Sequence, residues 1–129
     1  MTGGRGFVGK RLTAALTNAG FHVFSVVRPG SSALSEVPGL TWILSGDAAG
    51  IYDAHRPEAT IHLATCYGHS GQVSDVIESN ILLPMRLLEA SAGIADHLFV
   101  NTDTFFAKPR FGYTHMAAYV KSKQAVLAW

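Results

Sequence analysis

A chain of 129 residues is one domain or part of one, and it is long enough to bury a sizeable core. With 48% hydrophobic and 15% charged residues, its composition suits a globular α/β protein and not a disordered segment. A net charge of +1 gives no electrostatic reason to expect nucleic acid or an anionic membrane as partner, and no apolar run is long enough for a membrane span or a secretion signal.

The chain opens on Met1-Thr-Gly-Gly-Arg-Gly-Phe-Val-Gly9, in which Gly3, Gly6 and Gly9 recur every third residue. An amphipathic run follows, with Val8, Leu12, Ala15, Leu16 and Ala19 on one side. Glycines let a backbone approach a pyrophosphate closely, and the amides and dipole of the next helix hold negative charge. A bland helix entry has the same composition, and the dinucleotide fingerprint also requires a strand directly before the loop. Here the loop itself stands first.

Gly20 stops the helix, and Phe21–Val27 reads as a strand rich in β-branched and aromatic residues. Arg28-Pro-Gly-Ser-Ser32 closes it as a loop. Leu40–Leu44 is the next strand, closed by Ser45-Gly-Asp47, and a short helix is expected over Ala48–His55 with Pro57 as its stop. Ala59–Ala64 reads as a strand apolar enough to be buried on both faces. Ser74–Ala92 is the clearest helix, with Val76, Ile77, Asn80, Ile81, Leu87 and Leu88 on one side. Pro84 interrupts it, removing the hydrogen bond to the Asn80 carbonyl and predicting a kink. Leu98–Val100 begins a fourth strand, a loop runs from Asp103 to Ala117, and a last helix starts near Tyr119. Strands alternating with helices at this spacing imply a doubly wound, Rossmann-like parallel sheet with right-handed crossovers.

Within Tyr119-Val-Lys-Ser-Lys123, Tyr119 and Lys123 lie one helical turn apart on the same face, whereas Lys121 points elsewhere. A free tyrosine loses its proton near pH 10, so proton exchange at neutral pH needs about 4 kcal/mol of preferential phenolate stabilisation. A nearby ammonium contributes to that. An ordinary surface helix fits the same spacing. Asn101-Thr-Asp-Thr104 ends the fourth strand, and in a parallel sheet such strand ends line the ligand crevice. The single cysteine, Cys66, excludes an internal disulfide framework and suits a reducing cytoplasm. His62 reads as a core histidine, and His69 and His115 as exposed loop residues; no set of His, Cys, Asp and Glu has metal-ligand spacing.

Together these residues resemble the extended short-chain dehydrogenase/reductase family, also called the NAD-dependent epimerase/dehydratase family. Thr2–Gly9 resembles its TGxxGxxG loop, Ile61-His-Leu-Ala64 its HLAA stretch, Asn80 its helix asparagine, Leu87-Leu-Glu-Ala90 its LLEA and Tyr119–Lys123 its YxxxK, in order and across nearly the whole chain. The resemblance implies that Gly3, Gly6, Phe7 and Val8 surround a dinucleotide pyrophosphate, that Asp47 and Ala48 contact the adenine, and that Leu63, Ala64 and Thr65 line the cofactor's path. It further implies that Tyr119 is the acid/base, that Lys123 binds the nicotinamide ribose and assists Tyr119, and that Thr102 orients a substrate oxygen, with Asp103 and Thr104 beside it.

After the second strand of the family sheet, an acidic residue would favour NAD by binding a ribose hydroxyl. This chain has Arg28 there, followed by Ser31 and Ser32, with Arg5 in the loop. A guanidinium suits a 2′-phosphate, so NADP is expected, with NAD as second choice. Dehydratases of the family carry Thr-Asp-Glu where this chain has Thr102-Asp103-Thr104, which disfavours sugar dehydration. Ala64–Gly68, Asn101–Ala107 and Tyr113–Met116 resemble the CDP-abequose synthase-like 4-ketoreductases, which reduce nucleotide-linked keto-sugars with NADPH. An NADP-dependent reductase of such a sugar is therefore the leading expectation. A 4-epimerase that recycles hydride on bound NAD(P), and a non-catalytic dinucleotide-binding protein, are the alternatives. The resemblance also implies a nucleotide-sugar as partner and a homodimer packed through helices. Finally, the missing strand before the loop and the chain's end within the YxxxK helix predict an internal fragment, incomplete at both ends and inactive alone. Its two central strands would then lack a shared partner, and the loop an anchor.

Overall fold

Runs of β-branched and aromatic residues between turns become strands of one parallel sheet. The computed structural model describes residues 1–31, 36–68, 72–104, 106 and 116–128. β1 (Val23–Val27) pairs with β2 (Leu40–Leu44), Val23 opposite Leu40 and Val27 opposite Leu44. β3 (Ala59–His62) pairs with β4 (Leu98–Asn101), Ala59 opposite Leu98 and His62 opposite Asn101. Thr2 forms parallel bridges to Val26 and to His62, so the order across the sheet is β2, β1, Thr2, β3, β4.

That bridge corrects the expectation that β1 and β3 lack a common partner. The Thr2 N–H donates to the Ile61 carbonyl at 2.9 Å, and the Leu63 N–H donates to the Thr2 carbonyl at 3.3 Å. Toward the other side, the Val26 N–H donates to the Met1 carbonyl at 2.8 Å. In an extended chain the polar groups of successive residues point to opposite neighbours, so two residues tie both strands and anchor the glycine loop. Nearer the amino ends of β1 and β3 lies a cavity of about 530 Å³, lined in part by Phe24, Tyr52, Ala59 and Ile61. The glycine loop leaves the sheet at the opposite, carboxyl end, so this cavity is not part of the candidate site.

α1 (Phe7–Asn18) ends as expected at Gly20, whose φ of +88° suits a residue without Cβ. The Phe21 N–H reaches back to the Leu16 carbonyl and the Gly20 N–H to that of Thr17, both at 3.0 Å, closing the helix carbonyls. α2 (Gly50–His55) begins later than expected because Ser45–Asp47 form a 3-10 turn and Ala48 drops into the core. The long expected helix is α3 (Val73–Ile77), a π turn (Glu78–Leu82) and α4 (Leu83–Ser91). Pro84 cannot donate and its ring crowds the Asn80 carbonyl; widening the preceding turn relieves both, so the predicted kink is a π turn. Val76, Asn80, Pro84 and Leu87 are buried on the inner face, whereas Ile77, expected with them, is exposed.

Val26, Ala48, Tyr52 and Leu87 form the core, with Leu83, Ala90, Ile94 and Phe99 packed around them. β3 departs from its expected apolar character. Its buried residues are Thr60 and His62, while Ala59 is exposed. Thr60 is satisfied there by the Tyr52 hydroxyl at 2.6 Å and the His97 ring at 3.0 Å. α5 (Ala117–Leu127) packs against α3 and the π turn, which brings its Tyr119 and Lys123 to the sheet.

Candidate active site

The glycine loop is held by its neighbour Thr2. The Thr2 hydroxyl lies 2.8 Å from His62 Nδ1 and accepts the Ala64 N–H at 3.1 Å, both within the buried sheet. Gly3 follows with φ +71°, and a Cβ there would stand 2.7 Å from the Ala64 nitrogen and 2.8 Å from the Leu63 carbonyl carbon. No side chain fits, so the loop crosses directly over the end of β3. Gly6 then caps α1, and Phe7 and Val8 in its first turn are 75% and 58% exposed. Apolar side chains this open, beside a helix start whose amides face outward, form a surface suited to a flat ligand with an anionic centre. Arg5 is exposed in the same loop, and the Arg11 guanidinium lies 4.4 Å over the Phe7 ring.

Arg28 is exposed just beyond β1. Ser31, grouped with it by the sequence, donates its hydroxyl to the Arg28 carbonyl at 2.7 Å, so that hydroxyl shapes the turn and has no proton left for a ligand. Ser32 lies outside the described residues. Asp47 is exposed after β2, but Ala48 is 2% exposed and packs with Tyr52 and Leu87. Its side chain belongs to the core, and Asp47 is the exposed member of that expected pair. Leu63, Ala64 and Thr65 leave β3 half-buried, and the Thr65 hydroxyl is buried with no partner among the described residues.

Tyr119 and Lys123 are 5% and 2% exposed, whereas Lys121 faces solvent, so the expected face is the inner one. The Lys123 ammonium is buried with no hydrogen-bond partner among the described residues. Burial lowers its pKa, and the Asp103 carboxylate opposes that shift in part. His62 feels the same charge: burial, then Lys123, then the chain's amino group push its pKa down to about 4, so its ring is neutral. A buried charge without a partner is costly and fits a site that a ligand's hydroxyls complete.

Thr102 stands at the end of β4, but its hydroxyl donates to the His62 carbonyl at 3.1 Å. It is therefore available as an acceptor only, which narrows the expected role. Asp103 is exposed and accepts the Thr104 N–H at 2.6 Å. Thr104 is 5% exposed and its hydroxyl accepts the Phe106 N–H at 3.3 Å. His69 and His115 fall outside the described residues, as does most of the segment between Thr104 and Met116. No group of three or more His, Cys, Asp and Glu suited to a metal occurs among the described residues.

Three contributors were given no site role by the sequence reading, although Asn80 was among its motif residues. Asn80, 1% exposed in the π turn, accepts the Cys66 N–H at 2.8 Å and donates to the Cys66 carbonyl and to the Ser122 hydroxyl, each at 2.9 Å. Ser122 in turn donates to the Tyr119 carbonyl at 2.7 Å. Tyr67 lays its ring on Tyr119 with centroids 4.8 Å apart. The signal for Asn80 was present, as the one amide on an otherwise apolar helix face; Ser122 and Tyr67 had none.

Residues 1–126 match the family model described as the NAD dependent epimerase/dehydratase family. The chain belongs to that family. Among curated relatives of this family member, the CDP-abequose synthase of Salmonella typhimurium (strain LT2) is 34% identical over 96% of this chain and 44% of its own length. The CDP-abequose synthase of Salmonella muenchen is 32% identical over 96% of this chain and 43% of its own. The family member thus spans less than half the length of these relatives. Its fold matches that of Bordetella bronchiseptica WbmH in complex with NAD+, with a TM-score of 0.81 at 17% identity over 98% of this chain and 49% of that one. Bordetella bronchiseptica WbmG in complex with NAD and UDP gives 0.81 at 19% identity, over 98% and 46%. The sheet is therefore the Rossmann-like one that the sequence led us to expect.

Proposed function

We propose that this chain carries the dinucleotide-binding and proton-transfer part of an NADP-dependent reductase of a nucleotide-linked 4-keto-sugar. The observation that carries the reading is the buried Lys123 ammonium with no partner among the described residues, on the same inner face of α5 as Tyr119. The residues fit a nicotinamide dinucleotide. Gly3 lets the loop lie against the end of β3, and the Thr65 hydroxyl and Lys123 ammonium both call for a hydrogen-bonding ligand. Gly3, Gly6, Phe7 and Val8 would take the pyrophosphate, with Arg5 beside them; Asp47, Leu63, Ala64 and Thr65 would follow the rest of the ligand, and Lys123 a ribose.

When bound, the reduced dinucleotide supplies a hydride to the keto carbon. Tyr119 gives its phenolic proton to the keto oxygen, and the resulting alcohol gains one hydrogen at carbon and one at oxygen. The Lys123 ammonium stabilises the phenolate left behind. Thr102 accepts a hydrogen bond near the same oxygen, in keeping with a hydroxyl already donated to the sheet. Arg28, exposed beyond β1, supports NADP over NAD through charge-assisted bonds to a 2′-phosphate. The CDP-abequose synthase relatives support a nucleotide-sugar substrate.

The test is absorbance spectroscopy of NADPH with a CDP-linked 4-keto-6-deoxyhexose. Stoichiometric NADPH consumption is expected. Interconversion of 4-epimers with no net NADPH change would replace this reading with the epimerase, and dinucleotide binding with no turnover would leave the non-catalytic one.

A further inference from the structure

We infer that the cavity between the amino ends of β1 and β3 is a docking slot for an extended apolar peptide of about three residues, which lies parallel to both strands and turns its terminal carboxylate toward the Met1 ammonium. The slot is separate from the site around Tyr119, so the inference stands apart from the proposed reaction.

The register of the sheet defines the slot. Thr2 is opposite Val26 on β1 and His62 on β3, which sets Met1 opposite Ser25 and Ile61. The next positions along the same line are flanked by Phe24, Val23 and His22 on one side and by Thr60, Ala59 and Glu58 on the other. All of these residues line the cavity of about 530 Å³, a size usual for a ligand site.

The backbone on both sides is turned into it. Successive residues of a strand in a parallel sheet point their N–H and C=O groups to alternate neighbours. On β1 the Val23 N–H donates to the Gly39 carbonyl, toward β2, whereas the Phe24 carbonyl and the Val26 N–H bond Met1. Just before β3 the Glu58 carbonyl accepts the Leu98 N–H, toward β4, whereas the Ile61 carbonyl accepts the Thr2 N–H. The N–H groups of Phe24 and Ile61 and the carbonyl of Ala59 therefore point into the cavity. Two facing rows of backbone donors and acceptors are what an added strand pairs with.

Side chains set the rest of the chemistry. The Met1 sulfur accepts the Thr13 hydroxyl of α1 at 3.3 Å, and the Thr2 hydroxyl meets His62 on the opposite face. Alternate peptide residues therefore turn to Leu16 and Phe21 on one face and to Ala48, Tyr52 and Leu87 on the other, and both sets are largely apolar. The Met1 ammonium donates to the Phe24 carbonyl at 2.6 Å and has further protons for an anion at the inner end of the slot.

The experiment titrates the full chain by calorimetry with acetyl-Lys-Lys-Val-Leu-Val, its carboxyl end free. Saturable binding with a dissociation constant on the order of micromolar is expected. The carboxamide form should bind about tenfold more weakly, through loss of the charge-assisted bond. N-methylation of the final valine removes the donor for the Ala59 carbonyl and should weaken binding by about as much. A chain with Val-Leu-Val fused ahead of Met1 fills its own slot and should no longer bind the peptide. Absence of saturable binding to the unfused chain overturns the inference, as does equal binding to the fused chain or indifference to N-methylation. Equal affinity of the acid and carboxamide forms overturns the carboxylate contact.

Discussion

The hydroxyl of Thr2 and Nδ1 of His62 lie 2.8 Å apart inside the sheet, joining the residue before the glycine loop to the end of β3. Burial of His62 there, with the Lys123 and amino-terminal charges nearby, sets a pH dependence. His62 titrates near 4 in the folded chain, against about 6.5 for a free histidine. Between these values the unfolded chain binds the proton and the folded chain does not, so stability falls as pH drops from about 6.5 to 4 and is fully present above that window. The shift corresponds to about 3 kcal/mol at about 1.4 kcal/mol per pH unit. Urea unfolding of wild type and His62→Gln at pH 7 and pH 4.5 should show a smaller loss in the variant. Equal losses would mean that His62 is protonated in the folded protein.

The glycines separate function from architecture. Gly3→Ala places a methyl against the Leu63 and Ala64 backbone at φ +71°, so it should distort the loop and reduce dinucleotide affinity by at least tenfold. Gly20→Ala meets nothing within 4 Å and pays only for its φ of +88°, a cost of about 1 kcal/mol in stability. Calorimetric titration with NADPH, together with thermal unfolding, compares the two. Unchanged NADPH affinity in Gly3→Ala would show that the loop is not the phosphate cradle.

Arg28 tests the choice of dinucleotide. Arg28→Glu should invert the preference, weakening NADP by roughly tenfold to a hundredfold, as expected for loss of a charge-assisted pair of about 1.5–3 kcal/mol. NAD affinity should hold or improve, because a carboxylate accepts from a ribose 2′-hydroxyl. Since Arg28 is exposed and Ser31 bonds only its carbonyl, the fold should be unaffected. A constant ratio of NADP to NAD affinities in this variant would remove Arg28 from the site.

What the sequence made legible followed from strong local signals. Gly20 ended α1 and the β-branched run made β1, because caps and period-two patterns act within a few residues. The Tyr119 and Lys123 face was readable from helical spacing alone. β3 was misjudged at Thr60, which is buried in bonds to Tyr52 and His97, whereas His62 is the core histidine that the sequence suggested. Pro84 predicted a disturbance but not its form, since a π turn and a kink relieve the same clash. The Asn80 clamp on Cys66 and Ser122 joins three separate segments, and no local pattern encodes it. The core role of the Ala48 side chain likewise depends on Tyr52 and Leu87, which no local pattern places beside it.

Lys123 offers the sharpest separation of stability from activity. Its ammonium is buried with no partner among the described residues, and burial already favours the neutral form. Lys123→Met replaces that charge with an apolar chain of similar length, so the ligand-free protein should unfold at a higher temperature, by a few degrees for a gain of about 1 kcal/mol. Turnover should fall by several orders of magnitude, because the variant loses both the ribose contact and the charge behind Tyr119. Added NADPH should then stabilise the variant less than wild type, since a ligand stabilises the folded state only in proportion to its binding. Thermal unfolding with and without NADPH reads both effects. A ligand-free variant less stable than wild type would mean that the ammonium is held by the protein itself and that its site is structural.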